Sequence, residues 1–204
     1  HQEARRQRQM CIRDRSTEER EVLGNSSLCY FIPWRVIFKA SSLTTPYRMV
    51  FNASSRTPGG ESLNTLLAKG QNNLVNLLHI LLRFRAAPYA LTADISSAYN
   101  NIELDIQHLT FQRFLWPDEN FTRIREAVIR TLIYGVKSSG TQLSAGLQKL
   151  AEHATMFYPD KAAGANLLKS CTYVDDSLNS YLTENECNKA CLLYTSDAAD
   201  ELLG

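Results

Sequence analysis

The sequence contains few cysteines, and their spacing argues against the sites that cysteines commonly build. Only 5 of the 204 residues are Cys, and none of them forms a Cys-x-x-Cys pair. Structural zinc sites and disulfide frameworks need more numerous or more closely spaced cysteines. The sequence therefore indicates a reducing compartment, and we expect an intracellular protein, cytoplasmic or nuclear.

The sequence also lacks a long apolar run and an excess of charge of either sign. We find no stretch with the length of a membrane span and no signal peptide, so we expect no membrane partner. Lys and Arg together number 22 against 21 Asp and Glu, which leaves a net charge of +1. This balance excludes a chain that is basic throughout but permits a local basic channel. With 44% hydrophobic residues, the chain can build one sizeable core.

The two ends of the chain share an unusual relationship at the level of coding DNA. Residues 5–14 and residues 191–200 can be encoded by opposite strands of one DNA string. That string resembles the transposase-recognition adapter ligated to library fragments for sequencing. We therefore expect residues 1–15 and 191–204 to be translated adapter that does not pack on the rest of the chain, with residues 1–15 disordered. Residues 16–190 would then be the natural body, an internal fragment of a longer protein.

Strands and helices are interleaved along this body. We predict a hairpin over 35–51, strands over 89–95, 108–116, 170–175 and 178–182, and helices over 72–85 and 138–156. The apolar residues within 121–134 fit the period of a helix and that of a strand equally well. Leucines recur at helical spacing in the first predicted helix, and we expect them to pack in the core. The mixed order predicts an α+β fold.

Two of the predicted strands lead into carboxylates, Asp94 in one case and the pair Asp175-Asp176 in the other. A β-turn is the simple interpretation of Asp-Asp-Ser. A metal site is the alternative, because antiparallel neighbours in one sheet would bring the three carboxylates together. They would repel one another unless divalent cations neutralised them. Two Mg²⁺ ions, or Mn²⁺ in their place, can activate a 3′-hydroxyl and stabilise the leaving oxygen of a phosphoryl transfer.

Around these carboxylates the sequence resembles reverse transcriptases. Tyr173-Val174-Asp175-Asp176 is similar to their metal-binding hairpin, and Asp94 followed five positions later by Tyr99 is similar to their first catalytic motif. Further segments resemble, in order and spacing, the BEL/Pao class of long-terminal-repeat retrotransposons: 48–54, 62–64, 81–85, 111–116 and 134–139. The resemblance runs from about residue 30 to residue 183. Asn52, Gln71 and Gly140 depart from the family pattern, and Gly140 leaves the shape of the template-contacting turn open.

The resemblance implies the fingers and palm of a right-hand polymerase, with an antiparallel palm sheet and helices packed on one face. It implies an RNA-directed DNA polymerase in which Asp94, Asp175 and Asp176 are catalytic and bind two Mg²⁺ ions. Asp94 and Asp175 would be the primary ligands, and the backbone carbonyl of Ile95 an auxiliary ligand. Tyr99 would lie under the sugar of the incoming nucleotide and exclude a 2′-hydroxyl. A core aromatic is the alternative role for Tyr99.

The implied partners are a template with its primer and deoxynucleoside triphosphates. Arg48 would clamp the triphosphate through its guanidinium fork. Lys39 is a second candidate for that role, with a solvated surface lysine as the alternative. The family also implies a thumb, an RNase H and an integrase in the parent polyprotein, and we expect them to be missing from this fragment.

Two other functions are compatible with the sequence. One is a catalytically inactive retrotransposon remnant that binds nucleic acid weakly. The other is a two-metal nuclease, which would need further ligands near the three carboxylates; Glu103 and Asp105 are the candidates closest in sequence, and surface exposure is their simpler interpretation. His79, His108 and His153 have no partners at ligand spacing, so we expect surface or core roles for them.

Overall fold

The computed structural model describes residues 24, 28–40, 46–117, 120–159 and 162–195, the last four without their side chains. The elements in chain order are β1 (Trp34–Phe38), β2 (Tyr47–Phe51), α1 (Leu63–Leu66), α2 (Leu77–Phe84), β3 (Tyr89–Asp94), β4 (Arg113–Pro117), β5 (Ile124–Val128), α3 (Ser139–Phe157), α4 (Ala162–Ser170), β6 (Thr172–Tyr173), β7 (Asp176–Tyr181) and α5 (Glu184–Thr195). Short 3-10 helices cover Ala98–Asn101 and Ile106–Phe111. The chain forms two compact units, one from the described residues up to 69 with 103–139, and one from 70–102 with those from 140 onward.

The first unit contains two antiparallel hairpins. The pairing of β1 with β2 runs from Trp34 opposite Phe51 to Phe38 opposite Tyr47, which confirms the predicted hairpin. The second hairpin pairs β4 with β5. Phe114 of β4 is 1% exposed and makes edge-to-face ring contacts with Trp34 and Phe51. These aromatic contacts join the two hairpins into one core, as expected for large rings that bury much apolar area.

The second unit is built on a three-stranded antiparallel sheet in the order β3-β7-β6. Leu91 of β3 packs with Leu167 of α4 and Ala190 of α5, so these two helices cover one face of the sheet. Side chains alternate between the faces of a strand. Asp94, three residues after Leu91, therefore projects from the opposite face. Small antiparallel sheets with packed helices confirm the predicted α+β class.

The structure differs from the predicted elements in several places. The strand predicted over 108–116 is a 3-10 helix followed by β4, and the ambiguous segment 121–134 contributes the strand β5. Helix α4 was not predicted. Its sequence is rich in Ala and carries only a weak apolar stripe. Ala165 packs against Ala151 and Ala154 of α3, so tertiary contact supports a helix that periodicity barely indicates.

The predicted leucine-rich helix is shorter and less buried than expected. It begins at Leu77, after Asn76 accepts a hydrogen bond from the Leu78 N–H and so caps the helix. The prediction that its leucines pack in the core is wrong. Ile80 is the buried residue of α2, while the stripe leucines are 36–60% exposed: Leu74, Leu77, Leu78, Leu81 and Leu82. Periodicity identified the apolar stripe but not whether anything covers it.

The last helix crosses the predicted end of the natural body. Helix α5 continues past residue 190 to Thr195, and Cys191 packs partly buried against the Leu91 cluster. The other residues expected to be adapter, 1–15 and 196–204, and the side chains of 192–195 lie outside what the structure describes. Within the described part of the chain, the helices lack the combination of length and apolar character that a membrane crossing requires.

Candidate active site

The hairpin between β6 and β7 has a two-residue turn. Tyr173 pairs with Asp176, which leaves Val174 and Asp175 as the central residues. Val174 has a φ of 61° whereas Asp175 does not enter the positive-φ region, a combination typical of a type II′ turn. The turn therefore lies one residue earlier than the predicted Asp175-Asp176, and Asp176 is the first residue of β7.

The pairing of β3 with β7 brings together the two carboxylate positions seen in the sequence. Asp94 lies directly opposite Asp176, so their side chains project from the same face. The N–H of Ile95 donates a 2.9 Å hydrogen bond to the carbonyl oxygen of Asp175, which fastens the turn to the end of β3. Asp94, Asp175 and Asp176 thus form one acidic cluster on the face opposite α4 and α5.

The electrostatics of this cluster are visible at Asp94. Asp94 is exposed, but partial loss of hydration raises the pKa of its carboxyl above its ordinary value, and the negative charges of Asp175 and then Asp176 raise it further. A raised pKa means that the folded protein disfavours the ionised form of Asp94. A cation placed among the three carboxylates would reverse this effect.

Two buried hydroxyl groups support the hairpin from its other face. The Thr172 Oγ1 donates to the Leu167 carbonyl oxygen at 3.0 Å, so the 2.7 Å bond between Thr172 and Ser177 is donated by Ser177. Both hydroxyl residues are nearly inaccessible, at 5% and 0% exposure. They tie β6 to β7 and to α4, beneath the acidic cluster. The two residues flank the turn symmetrically in the sequence, so the pair could have been predicted once the turn was placed at Val174-Asp175.

Tyr99 forms part of the packed base of the site. It lies in the 3-10 helix Ala98–Asn101 and is 8% exposed. Burial raises the pKa of its hydroxyl, and the negative charge of Asp175 raises it further, so the two groups lie within electrostatic reach. A Cβ on Gly140 would lie 3.8 Å from this hydroxyl, and Gly140 itself belongs to the first turn of α3. The role of Tyr99 in sugar selection stays a prediction.

The oxygen donors of the cluster suit a hard divalent cation, which prefers carboxylate and carbonyl ligands. The Ile95 carbonyl accepts a 3.2 Å hydrogen bond from the Ala98 N–H and keeps a second lone pair. Across the described residues, no three His, Cys, Asp or Glu side chains are grouped closely enough to hold a metal ion as they stand. The donor types therefore fit such an ion, and ligation would require the carboxylates to rotate toward one another.

The remaining candidate residues belong to other elements than β3, β7 and the turn that carry the acidic cluster. Arg48 in β2 and Lys39 just after β1 are exposed residues of the first unit. Glu103, also in that unit, pairs with Thr131 in an isolated bridge, and Asp105 accepts a 2.9 Å hydrogen bond from the Gln107 N–H. The bridge at Glu103 is formed by the backbone, and both acidic residues are exposed, as their simpler interpretation expected. The three histidines singled out from the sequence are exposed: His79, His108 and His153.

No protein-family model matches this chain, and no curated protein shows significant similarity to it. The case for a function therefore rests on the residues of the site and on their geometry.

Proposed function

We propose that this chain is the fingers-and-palm part of a BEL/Pao-type reverse transcriptase, an RNA-directed DNA polymerase. The second unit would be the palm and the first unit the fingers. One observation carries the proposal: Asp94 lies opposite Asp176, with Asp175 in the adjoining turn. Three carboxylates gathered on the face of a small antiparallel sheet opposite α4 and α5 are costly unless a cation balances them, and polymerase chemistry supplies that cation.

In this proposal Asp94 and Asp175 would hold two Mg²⁺ ions, assisted by Asp176 and the Ile95 carbonyl. When bound, the ions activate the primer 3′-hydroxyl and stabilise the leaving pyrophosphate oxygen. The protein's own contribution is to position the ligands. The hydrogen bond from Ile95 to Asp175 and the buried hydroxyl pair beneath the hairpin supply that positioning.

The substrates would be a template with its primer and deoxynucleoside triphosphates, used inside the cell. Tyr99 would lie under the sugar of the incoming nucleotide. Arg48 would bind the triphosphate, because its planar fork matches phosphate oxygens, and Lys39 would add a second positive charge. The thumb, RNase H and integrase would be supplied by other parts of the parent polyprotein.

Primer extension tests the proposal directly. The chain is incubated at high concentration with an RNA template and a labelled DNA primer, with Mg²⁺ and separately with Mn²⁺. We expect slow extension by the unmodified protein, loss of extension in Asp175→Asn, and full retention in Glu152→Gln. The control removes one exposed carboxylate from α3, away from the cluster. Binding without extension under both metals would support the inactive remnant instead, and metal-dependent cleavage of the primer would support a nuclease.

Sugar selectivity provides a second test in the same assay. A steric gate at Tyr99 predicts that Tyr99→Ala loses discrimination against ribonucleotides by one or more powers of ten, about 1.4 kcal/mol for each. Tyr99→Phe keeps the ring and should keep the discrimination. If Tyr99→Ala instead loses ribonucleotide and deoxynucleotide incorporation together, Tyr99 is a packing residue and the sugar is read elsewhere.

A further inference from the structure

Strand β3 is the longer of the two edges of the three-stranded sheet. Within the described residues it pairs with β7 on one side and has no strand on the other. The opposite edge, β6, is only two residues long, whereas β3 extends over the six residues Tyr89–Asp94. An unpaired edge presents a row of N–H and C=O groups to which another strand can bind.

The hydrogen bonds of the sheet identify the backbone groups of β3 that point outward. The Ile95 N–H donates to the Asp175 carbonyl oxygen, so the backbone groups of Ile95 are directed toward β7. This direction alternates from one residue to the next in an antiparallel pair. The N–H and C=O groups of Ala90, Thr92 and Asp94 therefore point away from β7. All three residues are exposed, which leaves these groups accessible to a further strand.

Strand β3 lacks the features that usually prevent an edge from pairing. Its sequence contains neither Lys nor Pro, and its continuous register with β7 leaves no β-bulge. The one charged residue, Asp94, lies at the end of the strand. Helices α4 and α5 pack on a face of the sheet and leave Ala90 and Thr92 exposed. The edge is therefore both open and suited to pairing.

We propose that two copies of this chain associate by antiparallel pairing of β3 with β3, with Thr92 of one copy opposite Thr92 of the other. A second copy fits this edge because the outward-pointing residues occupy every second position. A twofold axis through Thr92 then places outward groups opposite outward groups, with Ala90 opposite Asp94 on either side. Each of these three residue pairs exchanges two hydrogen bonds, about six in all.

Charge and proline select this register over its neighbours. A shift of two residues toward the start of β3 would bring Pro88, which has no N–H, into the ladder. The opposite shift would leave the two Asp94 side chains about 7 Å apart along the seam. In the proposed register they are about 14 Å apart, beyond the screening length of about 8 Å at physiological salt. The pairing uses the backbone and requires no bound metal.

This association closes at two copies. The pairing occupies the β3 edge of both copies and leaves β6, with its two residues, as the outer edge on each side. An interface that uses the same patch on both partners has no free patch for a third copy. The expected species is therefore a dimer with a continuous six-stranded sheet, and not a fibre.

Sedimentation equilibrium of the full chain over a concentration series tests this pairing. Thr92→Pro removes the two central donors of the seam and should raise the dimer dissociation constant about tenfold or more. Thr92→Lys and Thr92→Glu each place like charges opposite each other and should raise it about fourfold. An equal mixture of the Lys and Glu variants should dimerise again, because opposite charges then face each other. Thr155→Lys, at an exposed position of α3, should dimerise as the unmodified protein does.

Amide hydrogen exchange locates the seam within the dimer. The N–H groups of Ala90, Thr92 and Asp94 should be protected at high concentration and exchange rapidly on dilution. A chain that stays monomeric throughout the series would overturn the proposal, and so would growth beyond two copies. Association that is the same in all Thr92 variants would also overturn it, because the contact would then lie on another surface, such as the exposed leucines of α2.

Discussion

Without metal, Asp94→Asn should be more stable than the unmodified protein. With Mg²⁺ bound, the unmodified protein should be the more stable of the two. The variant keeps the shape of the side chain and removes one charge from the acidic cluster. Asp94 faces Asp176 across the β3–β7 pair. Facing Cβ atoms lie about 4.5–5.5 Å apart. At such a separation two charges repel by about 0.8 kcal/mol in water and about 3 kcal/mol at an effective dielectric constant of 20.

The exposure of Asp94 decides between these two limits. The residue is exposed, so solvent screens its charge and the lower value applies. With Asp175 contributing as well, we expect Asp94→Asn to gain about 1 kcal/mol in the free energy of unfolding without metal. For a chain of this length that corresponds to a rise of about 2–4 °C in the unfolding temperature. With Mg²⁺ at ten times its dissociation constant, the unmodified protein should gain about 1.4 kcal/mol that the variant lacks.

The pH dependence follows from the raised pKa of Asp94. The folded state binds this proton more tightly than the unfolded state does, so stability falls as pH rises from the ordinary value of 3.8 through the raised folded value. The advantage of Asp94→Asn should therefore be present at neutral pH and vanish below pH 3.8.

Thermal unfolding, monitored by circular dichroism in chelator and in Mg²⁺, measures the metal-free and the metal-bound stability. Glu152→Gln removes an exposed carboxylate from α3 and should leave the unfolding temperature unchanged under both conditions. A lower unfolding temperature for Asp94→Asn in chelator would refute the reasoning, because it would show that the Asp94 charge is stabilised by its surroundings rather than repelled.

Three further substitutions test the structure away from the cluster, each by chemical denaturation. Gly135→Ala should cost about 1–3 kcal/mol, because Gly135 has a φ of 93° and a Cβ there would lie 3.1 Å from the Phe51 carbonyl oxygen; an unchanged midpoint would show that the turn differs from the one described. Gly140→Ala should instead gain up to about 1 kcal/mol, since Gly140 is helical and the nearest atom to a new Cβ is 3.8 Å away; a loss would contradict the helical assignment. Thr172→Val should cost about 1–3 kcal/mol by leaving the buried Ser177 hydroxyl without its acceptor, and no cost would mean that a different partner satisfies it.

Local chemistry was sufficient to predict several elements from the sequence. The hairpin of β1 and β2, the strand ending at Asp94 and the long helix α3 were all expected within a few residues of their observed bounds. Each of these depends on a repeat of apolar residues or on a turn signal within about ten neighbouring positions. The occurrence of carboxylates where two strands end was visible for the same reason.

Other features depended on contacts between segments distant in sequence, and only the tertiary structure decided them. The position of Asp94 opposite Asp176 depends on the register of β3 with β7, and a slip of one residue would move one of the two carboxylates to the helix-covered face. The exposure of the α2 leucines, the helix α4 and the burial of Tyr99 likewise depend on what packs nearby. The strained Val174 is the clearest case. Its β-branched side chain disfavours a positive φ on its own, so the local sequence does not predict the turn position that the pairing of β6 with β7 imposes.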